Sequence, residues 1–305
     1  MPRMPSRHDA VLLALLAAML ATTAPLAQTG SNTMYNPYQM LGGWAMLPDG
    51  VSWGAVIGIV PDGEGGTWVH HRSEPPIMHF DSTGTVVQTF GEGMFVMAHG
   101  FCRDHDGNFW AGDSGPFRDD PRTAGRGYQF FKFNPDGELL MTLGQAGVSR
   151  AGRDTFIAPT ACVVAPNGDI FVAIRNQQNA PGGIIALRDT DGDGRADVEE
   201  RFGEDGGTSI QLRGDYLYFG RDNAIVRYQM TRGELVPDGP AEVIATLPDQ
   251  RSHASKGFAF DGEGGMYVNV GAPANACQSE VREPGVPGMD PCPLLENHGG
   301  VWRFD

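Results

Sequence analysis

Apolar residues recur along the chain in short alternating runs, and the runs come in pairs. VIGIVPDGEGGTWVHH, GFCRDHDGNFWAGD, CVVAPNGDIFVAI, SIQLRGDYLYFG and GFAFDGEGGMYVNV each hold an apolar strand, a turn of Gly with Asp or Asn, and a second apolar strand. Alternation on both sides of such a turn is the pattern of a β-hairpin. In four of the five units a further strand with an aromatic pattern follows, as IMHFD, FFKFN, AIVRYQ and VWRFD. The unit recurs every roughly 40 to 60 residues, the period of a propeller blade. The pattern predicts an all-β chain, a β-propeller with four-stranded blades over 28–305, five of them visible, after a loop-like lead-in at 28–55. The fifth unit reaches Asp305 on its third strand.

Composition sharpens this picture. Forty-three Gly and 22 Pro supply turns at the density that many short strands need. MPRMPSRHDAVLLALLAAMLATTAPLAQ opens with Arg3 and Arg7 before an apolar run too short to span a bilayer, so residues 1–27 read as a secretory signal. No later stretch is long and apolar enough for a membrane helix, and the expected address is secreted or periplasmic. A net charge of -15 argues against nucleic acid, whose phosphates need a basic surface.

Four cysteines in an exported chain invite disulfides. Cys277 and Cys292 flank one loop, and a bridge is expected there. Cys102 and Cys162 hold matching places in successive repeats, HGFCRD and PTACVV, and are expected as buried free thiols.

The sharpest local motif is DTDGDGRADVEE. Asp189, Asp191, Asp193, Asp197 and Glu200 stand at positions 1, 3, 5, 9 and 12 of a calcium loop, with Gly194 at the turn and the Arg195 carbonyl as a further ligand. An acidic β-turn joining two strands is the competing reading, because VEERF looks like a strand. A second set, His99, Thr160, Thr208 and His253, stands at or just before inner strands, where a propeller gathers side chains around its channel.

SHASKGFAFDGEGGMYVNVGAPANACQ with PGMDPCPLLENHGGVWRFD, preceded by GGIIALRDTDGDGRADVEERFG, resembles the sorbosone/glucose dehydrogenases over about residues 183 to 305. These are six-bladed quinoprotein propellers that use pyrroloquinoline quinone (PQQ). The resemblance implies oxidation of a sugar or polyol, with His253 as general base, hydride passing to PQQ, and a periplasmic electron acceptor. A planar tricarboxylate needs cations and donors, for which Arg251, Lys256, Asn269 and Asn275 are the nearby candidates. The family's Arg-Asn cofactor pair follows its G-x-W-R-F segment and would fall beyond Asp305. Six expected blades against five visible ones point to a C-terminal truncation; the other solution is a five-bladed ring closed by a strand from 40–55. Arg175-Asn176 is given no role in this reading.

HHRSEPPIMHFDSTGTVVQTFGEGMFVMAHGFCRDHDGNFWAGD, FKFNPDGELLMTLGQAG and FIAPTACVVAPNGDIFVA resemble instead the NHL-repeat propellers, in particular relatives of peptidylglycine amidating lyase, over 56–158. That resemblance implies a site at Arg72 and His99. The sequence departs from the lyase at Pro159, Thr160 and Ala161, where a second zinc-binding His is wanted, and at FVAIRNQQN, which lacks the lyase's Tyr. One His does not close a zinc site. PQQ-dependent oxidation is therefore the expected function, with an NHL-type binding module or a metal-dependent lyase as alternatives.

Overall fold

The computed structural model describes residues 41–116, 121–177, 181–193, 195–250, 252–280 and 283–305. The signal at 1–27, Gly194 and Arg251 lie outside them. Strands β1 (Val56–Pro61), β2 (Thr67–His71), β3 (Ile77–Phe80) and β4 (Val86–Phe90) form the first antiparallel sheet. The second is β5 (Ala98–Arg103), β6 (Phe109–Asp113), β7 (Gln129–Phe133) and β8 (Leu139–Leu143). The third is β9 (Pro159–Val164), β10 (Ile170–Ile174), β11 (Gly183–Arg188) and β12 (Val198–Phe202). The fourth is β13 (Gly207–Arg213), β14 (Tyr216–Arg221), β15 (Ala224–Gln229) and β16 (Glu242–Thr246). The fifth has three strands, β17 (Phe258–Phe260), β18 (Met266–Asn269) and β19 (Val301–Phe304). Each sheet is an up-and-down blade, and the five make a β-propeller.

The turn chemistry repeats with the blades. Asp62, Asp81, Asp104 and Asp261 each accept backbone N–H groups two and four residues on. An Asp carboxylate that caps its own turn fixes the hairpin register without help from the core.

The core lies between blades. Trp68, Phe109 and Phe133 join blades one and two, and Trp110, Phe130, Val172 and Ile185 join two and three. Phe171, Ile184, Leu217 and Phe219 join three and four, while Tyr218, Phe258 and Val268 join four and five. On the other face of blade one, Trp44, Leu47 and Val51 cover Met78 and Phe80. Met46 bridges in parallel to Thr85. The described part of the lead-in, 41–55, is thus a cover for blade one, and among the described residues it supplies no strand to the fifth sheet.

Both cysteine pairs are bonded, Cys277 to Cys292 and Cys102 to Cys162. The first is the bridge expected from sequence. The second overturns the expectation of free thiols: β5 and β9 run side by side as inner strands, bringing the two Cα atoms to 5.9 Å. Matching places in consecutive repeats become direct neighbours when the repeats are blades. Two disulfides fit an oxidising compartment. Among the described residues no helix is long and apolar enough to cross a membrane.

Candidate functional site

A relay of side chains ties the inner strands together. Arg72 Nε donates to the Ala98 carbonyl (3.0 Å), and His70 Nδ1 to Gly100 (3.2 Å), so blade one holds blade two. His99 Nδ1 donates to the Thr160 carbonyl (2.7 Å), so blade two holds blade three. Thr160 Oγ1 lies within 2.9 Å of the Gly207 carbonyl, and Gln211 Nε2 donates to Phe258 (2.7 Å). Gly100 permits the tight approach: its φ is +78°, and a Cβ there would stand 2.7 Å from the Thr160 oxygen.

The strand registers make positions in different blades equivalent. Phe101 pairs with Ala111, Cys162 with Val172, Ile210 with Phe219 and Phe258 with Val268. Counting back two residues gives His99, Thr160 and Thr208 as one ring of inner-strand positions, continued by Lys256 just ahead of β17. Arg72 and Arg175 likewise each follow the last residue of a second strand, β2 or β10.

These side chains carry the electrostatics. Burial pushes His99 down to about 4, opposed by its bond to Thr160 and aided by the charges of Arg72 and Arg175. Burial lowers Arg72 too, and Arg175 adds to that shift. His70 is wholly buried and pushed down to about 3 by burial first, with His71, His99 and Arg72 contributing. Both imidazoles are therefore neutral near pH 7. A carbonyl can only accept, so Nδ1 carries the proton in each and Nε2 keeps its lone pair. His70 Nε2 is buried without a hydrogen-bond partner, as is Thr208 Oγ1. Two guanidiniums beside a neutral imidazole with an open lone pair suit an anionic substrate and a proton acceptor.

Sequence reasoning found Arg72 and His99 but missed His70 and Arg175. The signal for Arg175 was its register match with Arg72, legible only once blades are superposed.

The C-terminal candidates sit differently. His253 is exposed in the loop before β17, at φ +55°, with Nδ1 donating to the Ala272 carbonyl at 2.7 Å. Lys256, not His253, stands two residues before Phe258, as His99 stands two before Phe101. Lys256 is fully buried, its Nζ donates to the Ala254 carbonyl (2.7 Å), and burial lowers its pKa against the pull of Asp222 and Asp249. Asn269 and Asn275 are exposed, the latter in a 3-10 turn, Asn275–Cys277.

In the acidic loop, carboxylate oxygens of Asp189, Asp191 and Asp197 lie within 4.8 Å of one another. Asp193 caps the Arg195 N–H, and Glu200 sits on β12 opposite Ala186. The loop therefore joins β11 to β12 with no helix after it. Three carboxylates converge and the twelfth position stays apart. This set fits a hard cation through three residues. The zinc site implied by the lyase resemblance fits less well. Beyond His99 its ring offers Thr160, Thr208 and Lys256, and the acidic trio is the one group of three or more such ligands among the described residues. No step below runs through zinc.

No family model matches the chain. It is 37% identical over 95 residues to peptidyl-alpha-hydroxyglycine alpha-amidating lyase 1 of Drosophila melanogaster, covering 30% of this chain and 15% of the relative. It is 34% identical over 89 residues to a probable lyase of the same description, pgal-1, from Caenorhabditis elegans, covering 29% and 22%. The matches thus span under a quarter of these relatives' length. Among solved structures, a virginiamycin B lyase from Staphylococcus aureus superposes with a TM-score of 0.48 at 16% identity, covering 82% of this chain and 69% of that one. A gluconolactonase from Xanthomonas campestris gives 0.48 and 16%, covering 72% and 70%. The relatives side with the N-terminal resemblance, to NHL-type lyase propellers.

Proposed function

We propose that the chain is a propeller lyase acting at the inner-strand ring on a peptide that ends in α-hydroxyglycine. Arg72 holds the terminal carboxylate and His99 takes the hydroxyl proton. The observation that carries this reading is the His99 imidazole, neutral, fixed through Nδ1 to Thr160 and flanked by Arg72 and Arg175. Identity to alpha-hydroxyglycine lyases of two animals supports the choice of substrate.

In the step, Nε2 accepts the carbinol proton and the freed O–H electron pair becomes the second C–O bond. The carbon–nitrogen bond breaks, its pair stays on nitrogen, and nitrogen takes a proton from the imidazolium or water. A peptide amide and glyoxylate result, with no net oxidation. Burial first, and the charges of Arg72 and Arg175 after it, depress His99; a carboxylate beside Arg72 offsets the charge contribution and raises the basicity of Nε2. The test is incubation with a synthetic peptide ending in α-hydroxyglycine, followed by mass spectrometry of the amide. The wild type releases amide, and His99→Gln slows release by about a hundredfold or more with its circular dichroism retained. Equal rates overturn the proposal.

PQQ-dependent oxidation of a sugar or polyol is a second reading. It is favoured by His253, whose Nδ1–H is tied to Ala272 while its ring is exposed. A PQQ titration followed by absorbance tests it, and an unchanged spectrum rejects it.

A further inference from the structure

Beside the ring, blades two and three leave a small open cleft with Ser114, Tyr128, Ser149, Arg175 and Gln177 in its lining. Tyr128, Ser149, Arg175 and Gln177 carry N–H or O–H groups, the Ser114 hydroxyl donates to the Met97 carbonyl, and no carboxylate lines the cleft, although the chain as a whole carries a net charge of -15. A cleft that holds a guanidinium and no carboxylate, in an acidic protein, is a local attractor for anions.

Two further features shape the cleft. Tyr128 has φ +64°, a left-handed conformation that an aromatic residue rarely adopts and that persists where the surroundings impose it. Gly115 leaves room for the ring: a Cβ there would stand 2.3 Å from the Tyr128 ring. The buried Asp113 carboxylate fixes that floor, accepting the N–H groups of Val96, Met97 and Gly115. Second, neither Tyr128 nor Arg175 has a side-chain hydrogen bond or ion pair among the described residues. A half-buried guanidinium and a phenol, both unpartnered, converge on one space.

We infer that this cleft is a carboxylate-binding specificity subsite, with Arg175 as the charged anchor and the Tyr128 hydroxyl as a second donor. It rests on the lyase reading for whose carboxylate it takes, an acidic group on the peptide upstream of the reacting residue, but not for whether a carboxylate binds. Arg175 and Tyr128 thereby become selectivity residues, separate from the proton acceptor His99.

The experiment is calorimetric titration of the full chain with N-acetylglycine and, as the uncharged control, N-acetylglycinamide. N-acetylglycine is expected to bind saturably and the amide not. Arg175→Ala is expected to weaken binding about tenfold and Tyr128→Phe about threefold, the scale of losing a charge-assisted and an ordinary hydrogen bond. Equal binding of the amide, full affinity in a folded Arg175→Ala, or loss confined to Arg72→Ala would each overturn the inference. Tyr128→Phe keeps the ring over Gly115, so it remains informative if Arg175→Ala does not fold; full affinity in Tyr128→Phe overturns the role given to that hydroxyl. Carboxylate binding as described without turnover of the hydroxyglycine peptide sinks the lyase and leaves the subsite standing.

Discussion

Removing the Cys102–Cys162 bridge, through the Cys102→Ala/Cys162→Ala double variant, is expected to destabilise the propeller as a whole. The bond closes a sequence separation of 60 residues. In the chain-entropy relation such a loop is worth about 4 kcal/mol at 25 °C, against about 3 kcal/mol for the 15-residue separation of Cys277–Cys292. The two differ more in place than in size. Cys102 and Cys162 sit in the core that joins blades two and three, with Trp110 2% exposed in the same cluster. Cys277–Cys292 closes a loop between β18 and β19. The assay is urea unfolding followed by tryptophan fluorescence, comparing this variant with Cys277→Ala/Cys292→Ala. The first should lose about 4 kcal/mol across the main transition. A free-thiol count on the denatured, unreduced protein should find none. An unchanged unfolding free energy, or reactive thiols at Cys102 and Cys162, would refute the argument.

Three further outcomes follow from the geometry. His70 and His99 have folded pKa values of about 3 and about 4, below the unfolded value of 6.5. The unfolded chain therefore binds more protons between pH 6.5 and those values, and stability falls as pH drops through that window. Urea midpoints from pH 7 to 4.5 should decline, His70→Phe should flatten the decline, and a flat wild-type profile would contradict it. Gly112→Ala places a Cβ 2.2 Å from the His99 carbonyl, between it and Phe130, and is expected to cost about 1–3 kcal/mol. A wild-type denaturation midpoint would show that β5 and β6 yield there. Calcium is expected to bind at Asp189, Asp191 and Asp197, with heat in calorimetry that Asp191→Asn removes. No heat from the wild type would leave that loop a β-turn.

The sequence by itself determined the blades. Hairpin turns are local, because an Asp such as Asp104 or Asp261 caps N–H groups within four residues of itself, and alternation with period two then assigns inward and outward faces. The Cys277–Cys292 bridge was legible for the same reason, since the two residues bracket one loop. Arg72 and His99 were legible through resemblance to a known propeller family. Only the tertiary structure decided the rest. Cys102 and Cys162 are separated by 60 residues and bond because inner strands of successive blades are neighbours, while Arg72 of blade one and Arg175 of blade three feel each other's charge across the ring. Sequence spacing does not measure distance around a ring. By count from the paired strand residues, Lys256 matches His99, while His253 lies three residues further back in the loop. Which residue faces the channel depends on cross-strand pairing, and a shift of one residue reverses the face.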